Sequence, residues 1–142
     1  MIIVMAVNDT MRKPLVDMAI SAREKAYSPY SDFCVGAALL CADGEIFSGA
    51  NIENSSYGGT VCAERVAFGN AVFKGKRDFL AIAVVGAKRG SGIDKYCLPC
   101  GICRQFMAEF CSADFEIILY DGNETKSLTL GELLPYAFFL DR

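Results

Sequence analysis

The chain has 142 residues, a formal net charge of −3 and a hydrophobic fraction of 53%, which slightly favours burial of a further face in an oligomer. This length predicts one domain, residues 1–142, whose core needs neither a disulfide nor a metal to fold. The scattered basic residues exclude the basic stripe of a nucleic-acid-binding surface, and no apolar run approaches the roughly 18 residues of a transmembrane helix. A small-molecule ligand is therefore expected, with neither nucleic acid nor membrane as partner.

In chain order, the first half predicts a helix followed by a hairpin. The stretch MIIVMAV at 1–7 has no basic residue before it and no cleavage-like site after it, so it predicts a first strand or an ordered tail. Asp9-Thr10 offers an N-cap for a helix with apolar residues at helical spacing. The run FCVGAALLC at 33–41 is apolar without alternation, which is typical of a strand covered on both faces, and the Asp43-Gly44 turn joins it to a strand at 45–51.

The second half alternates helices with buried strands. The predicted elements are a polar loop at 51–60, a helix from CAER to about Gly75, a strand at 79–86, a loop at 87–96, a helix at 100–110 opened by Pro99, a strand at 115–120, and a short helix with a capping box at Thr129 and Glu132 that Pro135 stops. This alternation predicts an α/β layered sheet with helices on its faces.

Three of the seven cysteines have the spacing of metal ligands. Cys100 and Cys103 are three residues apart, so both sulfurs lie on one face of a helix, and Cys62 begins another helix. Helix N-termini favour the thiolates that a metal requires. Three thiolates leave one tetrahedral position of zinc free, which is the arrangement of a catalytic site. An odd number of thiols without an export signal also predicts a cytoplasmic protein.

Glu64 and Arg65, which follow Cys62 closely, suggest that the metal site is catalytic. Glu64 does not share the helix face of Cys62, so it is poorly placed as a ligand but close enough to reach a water on the metal. A carboxylate there can take a proton and pass it on, which suits a hydrolysis. Arg65 is placed to offset the net charge of about −1 that three thiolates leave on Zn²⁺.

Other roles of the cysteines stay open from spacing alone. Cys97 makes the local pattern CLPCGIC, so a closed four-cysteine structural site with Cys62 is an alternative in which Glu64 is only a solvated residue. A CxxC is also found in thioredoxin-like redox pairs, but that context would not explain CAER. The cysteines that lie in or beside apolar runs are predicted core thiols: Cys34, Cys41 and Cys111.

Taken together, the motifs resemble the cytidine deaminase family, in particular the small free-nucleoside enzymes that use three cysteines on zinc. CAE at 62–64 and PCGIC at 99–103 match the all-cysteine form of the zinc deaminase signature. The resemblance runs from YSPYSDF through VGAALL and NIEN to LLPYAF, most of residues 27–138. It implies a three-layer α/β/α sandwich around a mixed five-stranded sheet, assembled as a homotetramer with inter-subunit active sites.

The same resemblance implies a zinc-dependent hydrolase that converts cytidine and 2′-deoxycytidine to the uridines and ammonia in pyrimidine salvage. One zinc per chain would be bound by Cys62, Cys100 and Cys103, with Arg65 neutralising the sulfurs. Glu64 would take a proton from the zinc-bound water, deliver it to N3 of the pyrimidine, and later protonate the departing ammonia.

On the substrate side, the resemblance implies five contacts. Phe33 would stack on the base, the backbone N–H of Ala63 would contact O2, and Asn51 and Glu53 would bind the ribose. Phe138, three residues after the proline of LLP, would reach into an adjacent subunit's pocket. From the residues alone, Phe33 could equally belong to the core, and Asn51 and Glu53 could be ordinary turn residues.

Two residues depart from the family pattern, and three rival functions remain. Cys34 stands where relatives commonly have proline, and Cys97 stands where a cysteine is not expected. The rivals are a deaminase of another aminopyrimidine nucleoside such as blasticidin S, a polynucleotide deaminase, and a zinc-stabilised binding module without chemistry. The NIEN loop favours the simple nucleoside, and the missing basic track disfavours a polynucleotide.

Overall fold

A computed structural model describes residues 7–141. Its elements, in chain order, are α1 (Asp9–Arg23), β1 (Phe33–Cys41), β2 (Ile46–Ala50), a 3₁₀ turn (Tyr57–Gly59), α2 (Ala63–Phe73), β3 (Phe79–Lys88), α3 (Gly101–Phe110), β4 (Glu116–Tyr120), β5 (Thr125–Thr129) and α4 (Leu130–Leu133). Residues 1–6, to which most of the predicted first strand or tail belongs, lie outside the described part.

The five strands form one mixed sheet in the order β2-β1-β3-β4-β5. β1 runs antiparallel to both β2 and β3, β3 and β4 are parallel, and β5 is antiparallel to β4. Helix α1 packs on one face of the sheet, and α2 and α3 pack on the other. This confirms the predicted three-layer α/β/α sandwich. None of the helices between residues 7 and 141 is long and apolar enough to cross a membrane.

The central strands are buried on both faces because successive side chains alternate between two cores. Under α1, the core contains Leu15, Ala19, Leu40, Val85 and Ile118. Under α2 and α3, it contains Leu39, Phe68, Ile82, Met107 and Ile117. A strand that feeds two cores carries apolar residues at every position, which is why FCVGAALLC was recognisable as β1 without any alternation.

Element boundaries follow the sequence closely, with three differences. Asn8, and not Asp9 or Thr10, is the N-cap of α1. Pro99 lies before α3 and not in its first turn, because Cys100 is the N-cap. The polar strand β5 had no counterpart among the strands predicted from the pattern, since an exposed edge strand gives little hydrophobic signal. The capping box is confirmed: the Thr129 side chain accepts a hydrogen bond from the backbone N–H of Glu132, and the Glu132 carboxylate accepts one from the N–H of Thr129.

Helix α1 approaches β1 so closely that only glycine fits at position 36. A Cβ built on Gly36 would lie 1.9 Å from the carbonyl oxygen of Ala19 and 2.6 Å from the backbone nitrogen of Arg23. Arg23 is itself 4% exposed and donates hydrogen bonds to the carbonyls of Cys34, Ala87 and Lys88. These contacts dock the C-terminal turn of α1 onto the start of β1 and the end of β3. The candidate site lies next to this end of the two strands.

We expect Gly36→Ala to destabilise the protein by at least about 2 kcal/mol, because the added methyl group overlaps backbone atoms that cannot move without undocking α1. The matched control is Gly69→Ala in α2, where an added Cβ meets nothing within 4 Å. That change should be neutral or stabilise by about 1 kcal/mol, since alanine favours the helix over glycine. Thermal unfolding midpoints at fixed protein and zinc concentration measure both, and equal midpoints for the two variants would contradict the close approach.

Candidate active site

Three cysteine sulfurs meet where two helices begin. Cys62 is the N-cap of α2, Cys100 is the N-cap of α3, and Cys103 lies in the first turn of α3. Their Sγ atoms all lie within 4.8 Å of one another, and those of Cys62 and Cys100 are 3.7 Å apart. Neither N-cap side chain makes a capping hydrogen bond, so the positive ends of both helices face the sulfur cluster.

This geometry fits a tetrahedral zinc ion. With Zn–S bonds of about 2.3 Å, the edge of a regular tetrahedron is about 3.8 Å long, close to the observed separation of Cys62 and Cys100. Among residues 7–141, these cysteines are the one group of three or more metal-binding side chains this close together. Cys97 is not part of the group, so the closed four-cysteine site is not formed, and a tetrahedral zinc bound by these three cysteines would keep its fourth position free of protein ligands.

Hydrogen bonds favour a thiolate at Cys62. A hydrogen bond from Cys103, followed by hydrogen bonds from Arg65 and Cys100, lowers the pKa of Cys62 to about 5 despite its partial burial. Cys103, which shares this hydrogen bond with Cys62, has a raised pKa, so the pair holds one proton that a bound cation would replace.

Arg65 supplies the compensating charge. Its Nη2 lies 3.7 Å from the Cys62 sulfur and 3.3 Å from the carbonyl oxygen of Thr60. Its Nε is buried without a hydrogen-bond partner among the described residues. An unpaired buried donor is costly, and a cluster of thiolates is the acceptor that would satisfy it. The donor set therefore fits a three-thiolate zinc site with a net negative charge.

Glu64 lies beside the sulfur cluster, out of contact with bulk water. Its side chain is only 4% exposed, and burial raises the pKa of Glu64 to about 7, with a further contribution from the charge of Cys62. A nearby cation would favour the carboxylate. A group that holds and releases a proton near neutral pH is suited to general acid–base catalysis.

Asn51 is buried and holds the start of β1. Its Nδ2 donates to the carbonyl oxygen of Phe33 at 2.9 Å, and its Oδ1 accepts from the backbone N–H of Val35, also at 2.9 Å. One amide N–H remains for a ligand, since the NH₂ group has two. The side chain of Asn51 therefore orients the strand that carries Phe33.

Glu53 follows β2 and contacts the exposed loop at 30–31, just before the start of β1. Its carboxylate accepts hydrogen bonds from the backbone N–H groups of Tyr30 and Ser31, at 3.0 and 3.1 Å, and from the Ser31 hydroxyl. The Ser31 hydroxyl bond is the main reason why the pKa of Glu53 is lowered. Glu53 is thus fixed and ionised, and it lines an open cavity with Tyr30, Asn54, Tyr57 and Thr60.

Phe33 begins β1 and is half-buried, with its ring over Gly86 of the neighbouring strand. Ala63 is the first residue of α2, so its backbone N–H has no acceptor within the helix. Phe138 is different: its carbonyl accepts a hydrogen bond from Gln105, and 66% of its side chain is exposed.

Two residues near the site were not found from the sequence. Ser31 contacts Glu53, as described above. Arg89 donates to the Ser28 hydroxyl at 3.0 Å and to Asp32 at 3.3 Å, and Asp32 has a positive φ of 59°. Arg89 therefore fastens the loop that presents Ser31 and Phe33. The run SPYSD indicated a loop, but no local signal connects it with a residue nearly 60 positions later. The core thiols are partly confirmed: Cys34 and Cys41 are buried, whereas Cys111 is half-buried at the end of α3.

Comparisons with known proteins agree with this geometry. The family described as "Cytidine and deoxycytidylate deaminase zinc-binding region" matches residues 9–119. A cytidine deaminase from Halalkalibacterium halodurans is 52% identical over 130 residues, which cover 89% of this chain and 93% of the relative.

Similarity extends to solved structures and to a relative of another name. The crystal structure of a cytidine deaminase from Burkholderia pseudomallei superimposes with a TM-score of 0.81 at 46% identity, covering 89% of this chain and 98% of the other. A blasticidin-S deaminase from Bacillus cereus is 35% identical over 122 residues, covering 82% of this chain and 86% of the relative.

We expect zinc binding to depend on Cys100, the N-cap of α3, but not on Cys111, its C-cap. Cys100→Ser should reduce zinc affinity by more than about 100-fold, because changes that merely support a ligand already cost about 10–100-fold. Cys111→Ser, at the C-terminal end of the same helix, should keep about one zinc per chain. Metal analysis after dialysis against a weak chelator measures both. Retained zinc in Cys100→Ser would exclude the three-cysteine site.

Proposed function

The chain belongs to the cytidine and deoxycytidylate deaminase family, and we propose that it hydrolyses cytidine and 2′-deoxycytidine to the uridines and ammonia, with Glu64 as the proton shuttle. The observation that carries this proposal is the placement of a buried carboxylate beside three thiols at two convergent helix N-termini. A purely structural zinc site has no need of a buried, titratable carboxylate next to its ligands.

Cys62, Cys100 and Cys103 would hold the zinc, which when bound would supply a Lewis acid that makes a water nucleophilic near neutral pH. Glu64 takes one proton from the water that attacks C4 and delivers it to N3 of the pyrimidine. It then takes the second proton from the C4 hydroxyl and delivers it to the amino group, which leaves as ammonia. The two protons of one water therefore end on N3 and on ammonia, and Glu64 returns to the carboxylate.

The base is positioned by backbone and ring contacts in this proposal. Phe33 stacks on the pyrimidine, and the free N–H of Ala63 at the start of α2 donates to O2. Both elements are held independently of the ligand: Asn51 bonds the backbone of Phe33, and Ala63 is fully buried as the first residue of α2. A prepositioned donor at a helix N-terminus is well suited to a carbonyl that gains electron density during attack.

The sugar is held on the Glu53 side. The loop at 30–31 donates three hydrogen bonds to the Glu53 carboxylate, which leaves about one lone-pair site for a ribose hydroxyl, and the remaining amide N–H of Asn51 donates to the sugar. A carboxylate at this place also disfavours a 5′-phosphate by like-charge repulsion. The ligand class is therefore a free nucleoside and not a nucleotide.

We also propose that the protein is a homotetramer and that it is cytoplasmic. The C-terminal segment exposes Phe138, Phe139 and Leu140 by 66%, 63% and 76%, and Phe73 on α2 is 95% exposed. Such surfaces are typical of association, and a neighbouring subunit that covers the tail places Phe138 near the next site. All seven cysteines are free, which suits a reducing compartment in which thiolate ligands persist.

Replacing Glu64 tests the reaction. We expect Glu64→Gln to keep its zinc and to lose turnover of cytidine by at least about 10²–10⁴-fold, because general acid–base catalysis alone is worth that much. Glu24→Gln, at an exposed residue outside the site, is the control and should resemble the wild type. Loss of the cytidine absorbance band measures turnover. Wild-type turnover in zinc-loaded Glu64→Gln would refute the shuttle, and an inactive wild type would refute the function.

The tail offers a matched pair of variants for the inter-subunit site. Phe138 and Phe139 are nearly equally exposed, so a general loss of apolar surface affects both alike. We expect Phe138→Ala to raise KM for cytidine by about tenfold, the range for one lost apolar contact, and Phe139→Ala to leave KM nearly unchanged. Sedimentation run on the same samples reports the assembly. Full activity of a monomer would overturn the proposal.

A further inference from the structure

The side chain of Arg104, near the start of α3, connects two places that are far apart in the chain. Its Nε donates a hydrogen bond to the carbonyl oxygen of Pro99 at 2.7 Å, and its Nη1 donates one to the carbonyl oxygen of Leu133 at 2.8 Å. Both distances are typical of charge-assisted hydrogen bonds. A guanidinium holds its donors in one rigid plane, so a single side chain fixes both carbonyls at once.

The first of these carbonyls belongs to the turn that presents Cys100. Pro99 is fully buried and directly precedes this cysteine, which is the N-cap of α3. The backbone N–H of Arg104 also donates to the carbonyl oxygen of Cys100 at 3.0 Å. Arg104 therefore holds the peptide groups on both sides of the Cys100 Cα. Without the guanidinium, the carbonyl of a buried residue would lose its partner, which is costly.

The second carbonyl lies at the end of α4, where the C-terminal tail, residues 134–141, begins. Leu133 is the last residue of α4, so its carbonyl has no donor within that helix. The next side chain of α3, that of Gln105, donates to the carbonyl oxygen of Phe138 at 2.8 Å. The large apolar side chains of the tail are mostly exposed. A segment with few buried contacts opens at a low free-energy cost, so these bonds from α3 decide how firmly it is docked.

We propose that Arg104 is a positioning residue that couples the zinc-binding turn to the C-terminal tail. Zinc on Cys100 would restrain the Pro99 carbonyl, which orients the guanidinium, and the guanidinium holds the end of α4. Coupling between two sites is reciprocal, so zinc favours a docked tail and a docked tail favours zinc. The catalytic consequence rests on the proposed function: if Phe138 completes a neighbouring site, a subunit without zinc presents it less often.

Hydrogen exchange of the tail tests the coupling without turnover. In the wild type, removal of zinc with a chelator should speed amide exchange in residues 134–141 by at least about fivefold, the lower end of typical couplings. In Arg104→Ala, exchange should be fast and equal with and without zinc. The comparison is made at a protein concentration at which sedimentation shows the same assembly in both states.

Gln105→Ala is the matched control, because it removes a bond to the same tail but none to the turn at Cys100. It should speed exchange in both states and keep the zinc response. Arg104→Lys keeps the charge but replaces the planar fork by one ammonium, so it should also lose the response. This milder variant decides the inference where Arg104→Ala does not fold.

Zinc affinity supplies the reciprocal measurement. Arg104→Ala should lower it by about tenfold, within the range for residues that support a metal ligand, whereas Gln105→Ala should change it much less. A wild-type tail that does not respond to zinc would overturn the inference. A wild-type zinc response in folded Arg104→Ala or Arg104→Lys would overturn it as well.

Kinetics at saturating zinc connect the coupling with the site. Arg104→Ala should raise KM for cytidine, as Phe138→Ala does, with kcat nearly unchanged. A fall in kcat with unchanged KM would show that Arg104 supports only the ligand turn, and would overturn its role in the tail. A wild type without activity on cytidine refutes the proposed function alone, because exchange and zinc affinity still decide the coupling.

Discussion

The convergence of two helix N-termini on one point is the constraint on which the rest of the site depends. Cys62 and Cys100 are both N-caps, so each sulfur lies at the positive end of its helix, and Cys103 follows one turn later on the same side. The sheet makes this convergence possible, because α2 and α3 pack side by side on one face of it. The same helix start that places Cys62 also places the free N–H of Ala63 and the carboxylate of Glu64.

Asn51 and Glu53, which lie next to the candidate site, also stabilise the fold. Asn51 uses both ends of its amide to hold β1, and Glu53 is held by the loop at 30–31 that precedes Phe33. Arg89, which directly follows β3 where β3 pairs with the start of β1, holds that loop in place. The side chains of Asn51 and Glu53 are therefore fixed by hydrogen bonds within the protein, which would lower the cost of ordering them on binding a ligand.

Near the C-terminus, by contrast, large apolar side chains are exposed to solvent. Tyr136 has a positive φ of 55° and is fully exposed, and the residues after it turn little of their surface toward their own core. The site described above is built entirely from residues 30–103, whereas this segment lies beside α3. Stable burial of such a surface requires another protein surface, which connects assembly with catalysis in the proposed function.

Local signals determined which elements form and which residues carry chemistry. The apolar run of β1, the capping box of α4, and the residue spacings inside CAE and inside PCGIC are each local to one element, and all are present in the structure. Tertiary structure alone decided what distant elements share: the polar edge strand β5, the bond from Arg89 to Asp32, the buried amide of Asn51, and the close approach of both Cys97 and Phe33 to Gly86. These contacts join residues tens of positions apart, and only the order of the strands in the sheet brings them within a few ångströms.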